Sequence, residues 1–330
     1  MGIKGEPSTP DNPAQGLVWS AIVGQIDWAG SESEFVSVAD IQRSVFTKHP
    51  WSLSGGGAVD ALEQIEASSP GNLKSLDVEI GRTNVVGEDD IWLFDAASGR
   101  RLDLEANLVQ FVIGETVRDW LVTNPPLAIY PYDSIGGKPI ALNGALARHF
   151  WVFRTVLCNR SIFGKSVTDR PEPWYVHLEH YRSRLHTPLS ITFADIATHN
   201  HFVLDRGGKL FNRTAPVIKL PAGASEDEHL WLLGLLNSSV ACFWLKQVCH
   251  NKGSTVDQHG ARQRTAPFED FYALNATKVA EFPLADSKPT QLATTLDALA
   301  REIANWSPAA LLGDAAATEP THASLNAARE

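Results

Sequence analysis

Little in this chain supports a disulfide frame, a membrane span or a metal cage. Three cysteines among 330 residues, Cys158, Cys242 and Cys249, are odd in number and have no CxxC spacing. That usage suits reduced thiols and argues against a stapled fold. No window approaches twenty uncharged apolar residues. The best one, Leu230 to Leu245, is interrupted by Asn237, Ser238 and Ser239, so no transmembrane span is expected. Met1 is followed by a polar, Pro-rich segment rather than a signal peptide, and the compartment expected is cytoplasmic.

What is present is a large apolar fraction, 44%, and ten tryptophans, which describe a folded chain with real cores. The net charge of −10 argues at first sight against a nucleic-acid partner. The average conceals an asymmetry. Between Ala141 and Thr265 there are 15 Lys+Arg against 9 Asp+Glu, and the remainder carries 13 against 29. Nine of the eleven histidines lie in the same middle block. One basic region therefore sits inside an acidic chain.

The fold class expected is α+β: two lobes of short mixed β-sheet with helices, a long buried apolar helix in the second lobe, and a C-terminal amphipathic helix. Residues 1–16 form an exposed lead-in rich in Pro and Gly. Residues 17–135 make a first α/β lobe. It begins with a strand over LVWSAIVGQIDW, a short helix from Val38 to Phe46, and a glycine-led helix after Gly57. Strands follow at Asp77–Ile80 and Asp90–Phe94. Residues 136–285 make the basic domain, with a helix over 143–156 and a strand at Leu189–Ala197. Two further strands, His201–Leu204 and Ala215–Leu220, flank a hairpin turn at Asp205–Gly208. Ser225 and Glu228 are spaced as a capping box opening one long helix over 226–248, stopped by Lys252 and Gly253. An amphipathic helix at 286–308 precedes a tail, 309–330, expected to be disordered.

Four local patterns bear on chemistry. Asn124-Pro125-Pro126-Leu127 is like the (D/N)PP(Y/F) motif with which amino-methyltransferases hold a flipped base. Its fourth residue lacks the aromatic ring, and Ser54–Gly57, the one glycine cluster in range, follows no strand. His199-Asn200-His201 places two imidazoles on one face, with Asp205 or His186 as conceivable third ligands. No dedicated ligand spacing supports this, and no metal is expected. Lys252, Ser254, Arg262 and Arg264 form a cationic, flexible segment suited to phosphates. Trp174 and Tyr175, flanked by Arg170, Arg182 and Arg184, suit either stacking or a core.

Taken together, three stretches are familiar. THNHFVLDRGGKLFNRTAPVIKLP, then LLGLLNSSVACFWLKQVCHNKGSTVD, then EFPL resemble the C-terminal specificity region of large adenine-specific DNA methyltransferases. These belong to bacteriophage-exclusion (BREX, phage growth limitation) and type IIG restriction–modification systems. Gly87-Glu88-Asp89-Asp90-Ile91-Trp92 is similar to a GxxDxxF strand of those modules, and Gly114–Trp120 to their G(E/D)xVRDW segment. The likeness covers roughly Asn12 to Leu284. Members of that family are several times longer, and carry the cofactor loop and NPP(Y/F) motif in a domain N-terminal to this region.

The resemblance implies a DNA target-recognition portion that is non-catalytic by itself. S-adenosylmethionine would belong to the domain missing here, and no cofactor is expected in this chain. The partners implied are double-stranded DNA, a methyltransferase domain or subunit, and other phage-defence proteins. Arg118, Arg182, Arg184, Arg213, Lys252, Ser254, Arg262 and Arg264 are the candidate DNA contacts. A self-contained methyltransferase using Asn124–Pro126 is one competing reading. A protein-interaction scaffold is the other, motivated by the acidic flanks and the terminal helix.

Overall fold

The computed structural model describes residues 12–47, 51, 57–133, 137–185, 188–253 and 270–306. The chain separates into two compact units, Met1–Ser68 and Ser69–Glu330.

The first unit contains helices Leu17–Gln25 and Ala58–Ala67. The stretch from Leu17 is a helix, not the strand its apolar run suggested, because a short uninterrupted apolar run satisfies both periods. None of its residues is buried. The helix expected from Val38 shrinks to a 3₁₀ segment, Arg43–Thr47. Gly57, at φ 76°, opens the second helix as a glycine-led start should.

The second unit is α+β, built on two four-stranded sheets. In one, the order is Glu79–Gly81, Val217–Lys219, Ser190–Phe193, Phe202–Asp205, antiparallel throughout. Its last three strands are buried at every position, as a sheet covered on both faces requires. In the other, the order is Leu210–Phe211, Leu108–Val112, Leu127–Ile129, Leu93–Phe94, with the first pair parallel. A core of Trp92, Phe111, Ile129, Phe150 and Leu157 packs beneath this second sheet.

Several expectations are corrected. Asp205–Gly208 does not close a hairpin. Asp205 accepts the Gly207 N–H at 2.9 Å, and Gly207 and Gly208 take φ 106° and 81°. The chain then leaves for the other sheet, where Leu210–Phe211 pairs with Phe111–Val112. Asp89–Trp92 is a helical turn, and only Leu93–Phe94 is strand. The helix expected over 143–156 is two, Gly144–Val152 and Arg154–Cys158, hinged at Phe153.

The long helix is also two. Glu226–Leu236 begins with the expected Ser225/Glu228 capping box, and Ser239–Val248 follows a break at Asn237–Ser238. The break has a cause. The Asn237 side chain donates to the Phe202 carbonyl at 2.8 Å and accepts the Phe202 N–H at 2.9 Å, so it completes a strand edge. The Ser238 hydroxyl accepts the Ala241 N–H and starts the next helix. That helix ends at Val248, before Lys252 and Gly253.

The terminal helix, Thr290–Asn305, lies against Glu226–Leu236. Gly234 permits the approach, since a Cβ there would meet the Ala293 methyl at 3.0 Å. Arg206 bridges Glu226 and Asp297, each at 2.6 Å. Phe282 and Leu284 bond back to Leu73 and Gly71, which fastens the Phe-Pro-Leu exit to the start of the unit. Residues 1–11 of the lead-in and residues 307–330 lie outside the described residues.

Candidate nucleic-acid interface

Arginine can serve a phosphate only if its guanidinium is not already spent. Arg118 is partly spent: its Nη1 donates to the carbonyls of Gly114 and Val117 at 2.9 and 2.7 Å. Arg184 is spent as well. It donates to the Arg82 carbonyl at 2.6 Å, pairs with Glu79 at 2.8 Å, and lies 4.9 Å over the Tyr181 ring. Both hold short segments in place, a use that residue type and spacing cannot reveal.

Arg182, Arg213 and Lys252 are exposed. Lys252 lies on a strand, His250–Gly253, and not in the expected loop. That strand pairs with Phe271–Ala273, which in turn pairs with Ile196–Ala197. Asp195 immediately precedes this edge. Burial raises its carboxyl, while Lys252 and Arg213 act in the opposite sense. Arg213 also faces Asp89, again raised by burial and opposed by the arginine. Two exposed cations 39 residues apart in the sequence thus both act on Asp195. Ser254, Arg262 and Arg264 lie outside the described residues, in the segment 254–269 that follows Lys252.

The described candidates therefore do not make one patch. Arg184 is tied to Glu79, on one edge strand of the first sheet, and Arg182 precedes it by two residues. Arg118 belongs to the hairpin Val117–Val122, which packs against Phe202–Asp205 on the opposite edge. Three inter-strand steps of about 4.8 Å put roughly 14 Å between those edges. A cleft of about 290 Å³ that the sequence did not flag lies near Glu79's partner Arg184. It is lined by Arg184, Lys209, Lys219 and Ser190, with Asp205 as counter-charge. Burial pushes Lys219 down to about 8.

Asn124–Leu127 does not have a methyltransferase setting. Asn124 sits at φ 44°, and the tetrapeptide is a short link between the two-residue strand Leu121–Val122 and the strand Leu127–Ile129. The Pro126 carbonyl already accepts the Phe111 N–H at 2.8 Å. Trp174 and Tyr175 pack on the second core, which assigns them to packing. Asp205 is paired with Lys209, so it is not a ligand for the histidine pair, and His186 lies outside the described residues.

No family model matches the chain. At the level of sequence it is similar to an adenine-specific methyltransferase, as the motifs implied. The relative is "Adenine-specific methyltransferase PglX" of Streptomyces coelicolor, 44% identical over 320 residues, which is 95% of this chain and 26% of the relative. The chain thus spans about a quarter of that protein's length. Among solved structures it is similar to the type IIL restriction–modification enzyme MmeI in complex with DNA. That match has 15% identity and a TM-score of 0.44, and covers 76% of this chain and 31% of that one. The type IIG restriction endonuclease BpuSI matches at 13% identity and a TM-score of 0.41, over 75% and 28%. At those scores neither likeness carries an argument. No described helix is long and apolar enough to cross a membrane.

Proposed function

We propose that this chain is the DNA target-recognition portion of an adenine-N6, site-specific DNA methyltransferase of the PglX kind, non-catalytic by itself. The observation that carries the reading is the 44% identity that runs through 95% of the chain while spanning 26% of the relative. Two features support it. Arg213 and Lys252 are both exposed and both act electrostatically on Asp195, and Ser254, Arg262 and Arg264 follow Lys252 in the sequence. Leu127, which stands where the methyltransferase motif has an aromatic residue, begins the strand Leu127–Ile129, and this supports placing methyl transfer outside this chain.

In this division of labour, lysines and arginines neutralise phosphates and fix the register, while other side chains read base edges in the major groove. The partners proposed are double-stranded DNA and the methyltransferase domain or subunit, within a phage-defence assembly.

The test is a titration of the full chain with mixed-sequence duplex at several salt concentrations, with and without S-adenosylmethionine. Each phosphate contact adds about 0.9 to the slope of log K against log salt. The double variant Arg213→Ala/Lys252→Ala should lower that slope by about 2. Arg184→Ala, which removes a guanidinium held by Glu79 and the Arg82 carbonyl, should leave the slope unchanged. Absence of duplex binding at low salt, or an unchanged slope in the double variant, would overturn the reading. Saturable S-adenosylmethionine binding would overturn its non-catalytic part.

A further inference from the structure

The two histidines that share a face acquire a third donor from far away in the sequence. Val117–Arg118 and Leu121–Val122 form a hairpin whose two turn residues, Asp119 and Trp120, both have positive φ, 43° and 70°. That is the backbone of a two-residue turn normally filled by Asn-Gly. A non-glycine pair held there is strained by roughly 1–3 kcal/mol per residue, and such strain points to a use for the side chains. The turn delivers Asp119 to the histidine pair. Asp119 Oδ1 lies 3.4 Å from His201 Nδ1, the rings of His199 and His201 are 4.2 Å apart, and donor atoms of all three lie within 4.8 Å of one another.

We propose that Asp119, His199 and His201 form a binding site for a single divalent first-row transition ion, of which Zn²⁺ is the best fit. Two imidazoles and a carboxylate suit a borderline ion better than Mg²⁺ or Ca²⁺, which take oxygen ligands. The spacing suits it too. A tetrahedral ion about 2.1 Å from each donor sets the donors about 3.4 Å apart, the distance found between Asp119 Oδ1 and His201 Nδ1.

The surroundings are prepared on both imidazoles. His199 Nδ1 is bonded to the Thr198 hydroxyl at 2.9 Å, which leaves Nε2 for an ion and supplies the outer partner that metal-bound histidines usually have. His201 is buried, at 7% side-chain exposure, which holds its ring in place beside Asp119. The Asp119 N–H reaches His201 Nδ1 at 3.3 Å, a long contact that an ion on the same lone pair would replace. Asp119, at 85% exposure, keeps one side of the site open to water or a ligand atom. Among the described residues this is the one group of three such donors. The ion would tie the hairpin to the strand Phe202–Asp205, on which the hairpin packs. The site stands whether or not the chain binds DNA.

The experiment uses the full, tag-free chain stripped with chelator. ZnCl2 is titrated calorimetrically and CoCl2 by visible absorption, with thermal unfolding followed in parallel. One ion per chain with a dissociation constant of about 10 µM or tighter is expected, with tetrahedral Co²⁺ bands and a Zn²⁺-dependent rise in Tm. His199→Ala and Asp119→Ala alter exposed side chains and should leave the apo Tm within a few degrees. Each should weaken binding at least about tenfold and abolish the Tm rise. Asp119→Asn should keep the turn and still lose affinity, which separates ligation from turn geometry. Failure of the folded wild-type chain to bind either ion saturably would overturn the proposal. So would binding that survives in both alanine variants.

Discussion

Replacing Arg160 should unfold the second unit at a much lower denaturant concentration, because four backbone carbonyls depend on one guanidinium. Arg160 is 5% exposed. Its Nη1 donates to Val86 at 2.6 Å, its Nη2 to Trp174 and Val176 at 2.8 and 2.9 Å, and its Nε to Leu157 at 3.1 Å. The guanidinium also lies 5.4 Å over the Trp92 ring. Burial lowers it to about 10, so it stays charged at neutral pH. The four acceptors come from three segments, two of which are also joined nearby by the Val85–Glu179 pairing, and the side chain is a partner common to all three.

In Arg160→Met the apolar stem is kept while all four donors are lost. A buried acceptor left without a partner costs about 1–3 kcal/mol, and water entering the vacated space offsets part of the sum. A net loss of about 4 kcal/mol is therefore expected, a large share of the 5–15 kcal/mol that stabilises a typical domain. At a urea m-value of about 3 kcal/mol/M, the midpoint should fall by about 1.3 M. Arg160→Lys should land in between, since an ammonium has three donors and no planar fork. Tryptophan fluorescence and far-UV circular dichroism would report it, Trp92 being both probe and neighbour. A fall below about 0.3 M would show that the carbonyls re-pair elsewhere, and would refute the claim that one side chain organises this core.

Two further predictions follow from other interior sites. His177 and His180 accept at Nδ1 from the Asn84 amide at 2.9 Å each, and burial holds them at about 3 and about 4. Below pH 6.5 the unfolded chain takes up protons that the folded one refuses. Stability should thus be full above pH 6.5 and fall towards pH 4 by up to about 1.4 kcal/mol per pH unit for each histidine; a urea midpoint constant from pH 7 to 5 would contradict this. A Cβ at Gly114 would lie 2.6 Å from the Thr214 carbonyl oxygen, so Gly114→Ala should cost about 1–3 kcal/mol. A Tm equal to wild type would show that these segments can part freely.

What was legible in the sequence was what local chemistry sets. The Ser225/Glu228 box, the glycine-led helix at Ala58 and the terminal amphipathic helix each depend on residues within one or two turns, and each is present. What failed depends on distant partners. The break at Asn237 is invisible in LLGLLNSSVACFWL, since Asn is tolerated in a helix; it requires Phe202, 35 residues upstream, to offer both its N–H and C=O. The Asp205–Gly208 turn was recognised as a turn, but its exit into the second sheet depends on Phe111–Val112. The candidate site shows the same limit. His199 and His201 were seen to share a face, while Asp119 entered only through the hairpin packed on Phe202–Asp205.

The same physical economy explains which cations remain for a polyanion. Strands here are two to five residues long, so ladders end often and leave backbone groups in the interior without a strand partner. Side chains replace those partners. Thr83 both donates to the Phe211 carbonyl and accepts its N–H, as Asn237 does for Phe202, and Arg160 takes four carbonyls. Arg118 and Arg184 serve in the same way, on Gly114, Val117 and Arg82. A fold of short strands thus draws arginines inward, and the positive balance of residues 141–265 overstates the charge available outside. The cations left beside Asp195, Arg213 and Lys252, come from segments whose backbone is already paired, by the Asn212–Val112 bond and by the strand at Phe271–Ala273. Among the described residues neither the Lys252 ammonium nor the Arg213 guanidinium holds a backbone carbonyl as Arg118 and Arg184 do. A binding edge built this way can be mutated with little cost in stability, which makes the salt-slope experiment on Arg213 and Lys252 a test of recognition rather than of folding.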